Sequence, residues 1–165
     1  MKRRAFLKAG GALVVGVALG DFRLPVAAQP MPNADRFLGK PLAPDQVDSF
    51  LVIHADDTVT MFAGKIDLGT GGRIALRQMV AEELDIPIER LAMIEGDTAL
   101  TPDQGRTSGS YGVARGGVQL RQAAATARQT LLALAAQKLG RPAEDLEVAD
   151  GAIRVKGGGA SVRYG

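Results

Sequence analysis

A glycine-rich segment, Gly64–Gly72, lies between a β-rich run and an amphipathic helical pattern, and it constrains the fold more than any other stretch. Glycine allows the backbone to approach a ligand closely and to adopt positive φ at no steric cost. The N-terminus of the following helix offers N–H groups and a positive dipole end, which favour an anion such as phosphate. Asp67 is predicted to cap that helix or to brace the loop. Because most glycine clusters are tight turns, this first loop is either a ligand-binding loop or a plain connection.

A second loop, Gly96–Gly112, is predicted to face the first. It spans 17 residues with almost no apolar side chains, and a loop of this length in a compact domain is generally functional or disordered. Its last part, Thr107–Gly112, combines hydroxyl groups and glycines that suit a polar ligand. The next helix would present a second N-terminus to the same ligand. A flexible surface loop is the alternative.

The remaining pattern predicts an α+β fold, with antiparallel hairpins and a mixed sheet packed against two helices. A hairpin is predicted from 49–54 and 58–63, and a further strand from 91–95. Asp150-Gly151 indicates a second hairpin, and another strand begins near 160. The first helix carries an apolar face and is predicted to end at Pro87. The second begins near Val113, ends at Gly140, and has a seam formed by Leu120, Ala124, Ala127, Leu131 and Leu134.

The N-terminus has the pattern of an export signal. Residues 1–28 contain a basic start with Arg3-Arg4, a short apolar run and small residues before Gln29, which resembles a twin-arginine signal and predicts a periplasmic protein. An ordinary secretory signal or an uncleaved anchor is the alternative. Residues 29–48 are rich in proline and are predicted to form a linker. The folded part is then expected over 49–165.

Charge and composition exclude several classes of function. Residues 1–28 hold five of the 20 basic and one of the 18 acidic side chains, so the rest carries 15 basic and 17 acidic residues. The positive net charge therefore belongs to the N-terminus and gives no reason to expect nucleic acid as a partner. The chain has no cysteine, so it can form no disulfide and bind no iron–sulfur cluster through thiolates.

The motifs resemble one family in their order along the chain. Gly64–Gly72 is followed by Val80-Ala-Glu-Glu-Leu84, then Gly96-Asp-Thr98 and Thr107-Ser-Gly-Ser110. In these motifs and their order the chain resembles the molybdopterin-binding large subunits of the xanthine dehydrogenase/aldehyde oxidase family. Within that family it is most similar to exported subunits of the isoquinoline 1-oxidoreductase and aldehyde dehydrogenase type. The resemblance covers residues 49–165. Because such subunits are several times longer, we expect an N-terminal part of one, with an incomplete cofactor domain that is inactive alone.

The resemblance implies a molybdenum hydroxylase that oxidises an aldehyde or N-heterocycle with oxygen from water. It implies molybdopterin with Mo, often as the cytosine dinucleotide, and electron transfer to a small subunit with two [2Fe–2S] clusters and on to a c-type cytochrome. By position it assigns cofactor contacts to Leu68, Gly69, Thr70, Gly71, Thr107, Ser108, Gly109, Ser110 and Gly112. No residue matches the family's catalytic glutamate, and no metal ligand from the protein is expected.

The sequence departs from the family pattern at three positions in these two segments. Thr70 replaces a common glutamine, and Tyr111 and Gly112 replace a common Arg-Ser pair. Two other functions stay open at this point. One is a small exported module that binds an anionic or phosphorylated ligand through the first loop without chemistry. A dinucleotide-binding fold is less well supported, because the loop lacks a third glycine at the required spacing.

Overall fold

A computed structural model describes residues 37–165, which form two small sheets and two helices. The predicted signal segment, residues 1–28, lies outside the described residues. Within the segment predicted as a linker, Phe37 is buried against Phe62 and Ile94. Over the described range, no helix has the length and apolar character needed to span a membrane.

The first sheet consists of β1 (Leu51–Ile53), β2 (Val59–Ala63) and β3 (Leu91–Glu95). β1 and β2 are antiparallel and β2 and β3 are parallel, so the predicted hairpin and the mixed sheet are both confirmed. Every residue of the central strand β2 is buried. Met61 and its strand neighbours on that face pack on the helices, while Phe62 packs with Phe37 and Leu100 on the other face. The polypeptide leaves this buried strand directly into the first loop.

Helix α1 (Gly72–Leu84) begins at the end of the first loop and packs against the second helix. Its buried side chains are Leu76, Val80, Ala81 and Leu84. The prediction that Pro87 ends the helix is wrong. Asp85 adopts a left-handed conformation with φ of 53°, and its N–H donates to the carbonyls of Ala81 and Glu82. This capping arrangement closes the last turn two residues before the proline.

The second helix begins with a π-helical turn, Gly112–Gly117, which continues as α2 (Val118–Leu139) and ends at the left-handed Gly140. The predicted stop is thus confirmed. The predicted seam is right at Leu120 and Ala124 but wrong at Leu134, which is 56% exposed, whereas Ala135 is 2% exposed. An alternating 4-3 spacing drifts from the 3.6-residue period of a straight helix, so the core-facing position after Leu131 is one residue later.

The second sheet is an antiparallel meander of β4 (Leu146–Ala149), β5 (Ala152–Val155) and β6 (Ser161–Arg163). It contains the predicted Asp150-Gly151 hairpin. The meander attaches to the C-terminal end of α1. The Tyr164 hydroxyl donates to the Leu84 carbonyl at 2.7 Å, and the Gly151 N–H donates to the Asp85 carbonyl at 2.7 Å. These contacts, with the mixed sheet and two helices, confirm the predicted α+β class.

Candidate functional site

The first and second loops face each other across a cleft of about 530 Å³. Lys65 and Ile66 of the first loop and Ala75 and Leu76 of α1 are among its lining residues. The cleft is lined by eight of the nine residues predicted to contact a cofactor: Leu68, Thr70, Gly71, Thr107, Ser108, Gly109, Ser110 and Gly112. Gly69 is in the same loop but does not line the cleft. The structure therefore brings the two predicted segments together.

The first loop is organised by the carboxylate of Asp67. One carboxylate oxygen accepts hydrogen bonds from the N–H groups of Gly69, Thr70 and Gly71 at 2.9, 2.8 and 3.2 Å. The other oxygen accepts the N–H of Arg73 at 3.3 Å, in the first turn of α1. The hydrogen bond from Arg73, followed by those from the loop, lowers the pKa of Asp67 below its ordinary value. The predicted bracing role of Asp67 is confirmed.

This arrangement corrects the expectation that the N–H groups at the start of α1 are free for an anion. Four N–H groups of the loop and the first helical turn already bind the Asp67 carboxylate. A negative side chain also compensates the positive end of the helix dipole. A second anion at the same place would be repelled by the negative charge of Asp67. The first loop therefore offers the ligand its remaining backbone surface, the Thr70 hydroxyl and the Leu68 side chain, rather than an anion site at the helix end.

The second loop turns sharply where it enters the π-helical turn. Gly109 and Ser110 both have left-handed backbones, with φ of 58° and 60°, and the Tyr111 N–H donates to the Ser108 carbonyl at 3.0 Å. Serine is uncommon in this region of φ, ψ space. The guanidinium of Arg115 lies 3.9 Å from the centre of the Tyr111 ring, a cation–π contact. The side chain of Tyr111, the N-cap residue of this helix, makes no capping hydrogen bond.

Two side chains that sequence reasoning missed join the loops. Lys65 is 3% exposed, and its ammonium donates to the carbonyls of Gly105 at 3.1 Å and Arg106 at 2.7 Å. Gln104 accepts the N–H of Gly64 at 2.9 Å. Its amide also donates to the Gly116 carbonyl at 3.1 Å and to the Gln119 side chain at 3.0 Å. Lys65 lies about 40 residues from its partners along the sequence, so no local pattern indicates the contact.

Three further contacts bring the two loops and the π-helical turn close together. The Ile66 N–H donates to the Thr107 hydroxyl at 3.2 Å, so one of the predicted ligand hydroxyls also links the loops. A Cβ atom on Gly64 would lie 2.2 Å from the Pro102 carbonyl oxygen, and one on Gly116 would lie 2.5 Å from Cγ of Lys65. Glycine is required at position 64, where the opposing atom belongs to the backbone, and at position 116 it allows the Lys65 side chain to pack closely.

The cleft can bind and orient a ligand, but its lining contains no acid and no histidine. Glu95 forms an ion pair with Arg73, and Glu83 forms one with Arg121 at 3.0 Å. Over residues 37–165, no three His, Asp or Glu side chains are grouped to hold a metal ion. A redox function at this cleft therefore requires chemistry from a bound group.

The sequence matches the family described as "Molybdopterin cofactor-binding domain" over residues 9–164. The chain belongs to this family. The match agrees with the resemblance drawn from the motifs, and it places the chain among the molybdopterin-binding subunits of the xanthine dehydrogenase/aldehyde oxidase type. Members of this family are molybdopterin-dependent oxidoreductases.

Relatives and solved structures of this kind are similar to parts of the chain. A subunit of the nicotinate dehydrogenase of Pseudomonas putida is 45% identical over 109 residues, 66% of this chain and 9% of the relative. The beta subunit of isoquinoline 1-oxidoreductase from Brevundimonas diminuta is 29% identical over 179 aligned positions, which cover 100% of this chain and 21% of the relative. CO dehydrogenase from Oligotropha carboxidovorans superposes with a TM-score of 0.60 at 30% identity, over 65% of this chain and 13% of that chain. The chain thus spans about a fifth or less of these relatives.

Proposed function

We propose that this chain forms one side of the cofactor pocket in the large subunit of an exported molybdenum hydroxylase. The enzyme would oxidise an N-heterocycle or an aldehyde with water as the oxygen source. The observation that carries the proposal is the cleft itself. Two glycine- and hydroxyl-rich loops, which a family member would use for its cofactor, converge on one space of about 530 Å³.

The residues of the cleft fit a pterin cofactor by the chemistry of their polar groups. A pterin carries many hydrogen-bonding atoms on a flat ring, and the cleft presents backbone groups and hydroxyls without a carboxylate that would repel an anionic ligand. Thr107, Ser108 and Ser110 would hold the group from the second loop, and Thr70 and Gly71 from the first. The side chain of Leu68 is 65% exposed and would cover it on one side.

When bound, molybdopterin with its Mo supplies the redox chemistry by which a substrate carbon is hydroxylated. The residues of this chain bind and orient that group, exclude water from one of its faces and contribute no proton transfer of their own. The resemblance puts the general base, a glutamate, in a part of the subunit outside the matched motifs. Substrate turnover would therefore require more of the subunit than these 165 residues.

The names of the similar proteins favour an N-heterocyclic substrate over an aldehyde. Nicotinate dehydrogenase, isoquinoline 1-oxidoreductase and quinoline 2-oxidoreductase are named for molecules with nitrogen in an aromatic ring. The first two relatives are named as subunits, which supports a partner subunit that we propose carries the [2Fe–2S] clusters and passes electrons to a c-type cytochrome. The twin-arginine pattern supports a periplasmic location and assembly with the cofactor, proposed to be the cytosine dinucleotide form, before export.

Purification of the protein from its native host, with its bound partners, tests the proposal. We expect Mo close to one atom per complex by metal analysis, a pterin fluorescence signal after oxidation, and oxidation of nicotinate- or quinoline-like substrates with oxygen from labelled water. A folded preparation that contains neither Mo nor pterin would rule the proposal out.

The alternative of a small module that binds an anion through the first loop is less well supported. Its expected anion site at the start of α1 is taken by Asp67. Calorimetry with inorganic phosphate distinguishes the two functions. Binding of phosphate by the Mo-free chain, abolished by substitution of first-loop residues, would favour the module.

A further inference from the structure

Lys65 is a buried cation that lines the cleft. It follows Gly64 at the exit of β2 and is 3% exposed. Its aliphatic chain lies against the π-helical turn, where Gly116 leaves no room for a Cβ atom. Lysine is seldom buried to this extent without a charged partner, because removing an ammonium group from water is costly.

The ammonium group of Lys65 has carbonyl oxygens as its partners. It donates to the carbonyls of Gly105 and Arg106 at 3.1 and 2.7 Å. In the part of the chain that the structure describes, the ion pairs are formed by other residues, and none includes Lys65. The two carbonyls immediately precede Thr107, where the cofactor-lining part of the second loop begins. The position of that segment therefore depends on charge-assisted hydrogen bonds from one buried lysine.

We propose that Lys65 is a positioning residue for the second loop, whose ammonium group fixes residues 107–112 opposite the first loop. Lys65 acts on a bound ligand through this loop and not by reacting with it. The inference rests on the proposed function in one respect, since it takes the second loop to be a cofactor-binding wall. The hydrogen bonds and the burial of Lys65 do not depend on that assumption.

The second loop contains a trypsin cleavage site, and its rate of cleavage reports how ordered the loop is. Arg106 is exposed, and the carbonyl that Lys65 holds is the carbonyl trypsin would attack there. Proteolysis of a folded protein reports how often the cleaved segment opens. Lys65→Met keeps the unbranched apolar chain and removes the ammonium group. If Lys65 acts only by filling space, this substitution leaves the loop closed.

Limited trypsin digestion of the full chain, with peptides identified by mass spectrometry, measures the effect. We expect cleavage after Arg106 to be about tenfold faster in Lys65→Met than in the wild type, because hydrogen bonds from a charged group are lost. Cleavage after Lys156, an exposed site in the turn that follows β5, should not change. Lys40→Met is the matched control. Lys40 donates to the carbonyls of Pro41 and Ser49, far along the chain from this loop, so its loss should leave cleavage after Arg106 within about twofold.

Equal cleavage after Arg106 in Lys65→Met and the wild type would overturn the inference, as would equal acceleration at Arg106 and Lys156. If Lys65→Met does not fold, Lys65→Arg provides the test. A folded Lys65→Arg protein with slow cleavage supports the role of the charge, and a folded one with fast cleavage contradicts it. Unfolding of both variants would also contradict it, by giving Lys65 a role in global stability instead.

A second readout separates this inference from the proposed function. In protein purified from the native host, Lys65→Met should contain less Mo than the wild type, whereas Lys40→Met should contain the same amount. Absence of Mo from the wild type would defeat the proposed function and leave the protease result unaffected. Normal Mo content in Lys65→Met would show that the loop position does not matter for the cofactor, and would overturn this part of the inference.

Discussion

The two loops around the cleft are held in opposite ways. The first loop, Gly64–Gly72, contains its own organiser, since Asp67 binds N–H groups within six residues of itself. The second loop, Gly96–Gly112, is joined at 104–107 to residues outside it. It accepts hydrogen bonds from Lys65 and the Ile66 N–H, and its own Gln104 bonds to Gly64 and Gly116. A short-range carboxylate fixes one side of the cleft, and long-range contacts fix the other.

This difference indicates which side of the cleft is preorganised. Residues 67–73 can reach their conformation as soon as α1 forms, because the hydrogen bonds to Asp67 are local. The second loop requires β2, α2 and the π-helical turn to be in place first, because Gln104 and Lys65 join it to all of them. Local opening should therefore be easier in the second loop. Ordering this loop before a ligand binds would lower the entropic cost of binding more than ordering the first loop would.

The largest expected effect is at the junction of the loops. Gly64→Ala would place a Cβ atom 2.2 Å from the Pro102 carbonyl oxygen and 3.0 Å from the Gln104 backbone nitrogen. Backbone cannot move away as a flexible side chain can, so we expect a loss of about 3 kcal/mol in the free energy of unfolding. Urea denaturation measures it.

Gly112→Ala is the matched control for this substitution, since a Cβ atom there meets nothing within 4 Å. It should alter the free energy of unfolding by less than about 1 kcal/mol, in the stabilising direction expected for alanine in a helical turn. Equal effects of the two alanines would show that the loops do not approach each other as closely as described.

A smaller loss of stability is expected from a substitution of Gln104, and it should not affect residues 67–73 of the first loop. Gln104→Leu keeps the volume of the side chain but leaves the N–H of Gly64 and the carbonyl of Gly116 without their partner. We expect a loss of about 2 kcal/mol in the free energy of unfolding, the cost of unpaired buried polar groups. Hydrogen exchange should show faster exchange in residues 104–112 and unchanged exchange in 67–73. Equal acceleration in both loops would contradict the separate support proposed for them.

The smallest effect at neutral pH is expected from Asp67→Asn, whose amide oxygen can still accept N–H groups from the first loop. The difference should instead appear with pH. The folded-state pKa of Asp67 is lowered from 3.8, so its carboxylate stabilises the fold above that value and loses this effect as the pH falls through the folded pKa. Between pH 7 and pH 2 the wild type should lose more thermal stability than Asp67→Asn. Parallel pH profiles would contradict the role of the Asp67 charge.

The sequence was sufficient to predict the elements whose signals are local. Alternating β-rich runs gave β1, β2 and β3, the Asp150-Gly151 turn gave the second hairpin, and Gly140 gave the end of α2. The bracing role of Asp67 could be predicted because a carboxylate just before a helix commonly accepts hydrogen bonds from nearby backbone N–H groups. The pairing of the two loops could be predicted because each follows a strand of the same sheet and each leads into a helix.

The rest could not be predicted because it depends on distant partners. A lysine in a glycine-rich loop is ordinarily solvated, and nothing near Lys65 indicates that the carbonyls of residues 105 and 106 replace its water. Gln104 lies in a stretch without periodicity. The exposure of Leu134 follows from the small difference between the alternating 4-3 spacing and the 3.6-residue period of a helix, which accumulates along α2. For Lys65 and Gln104 the deciding quantity is a tertiary distance that no window of sequence contains.

Helix α1 has a consequence for how the molecule unfolds. Its N-terminal end is bound by Asp67, and its C-terminal end accepts the Tyr164 hydroxyl and the Gly151 N–H from the meander. Disorder in the second sheet would remove partners from the same helix whose other end begins at the cleft. The two sheets should therefore lose their structure in one cooperative transition, despite sharing no strand.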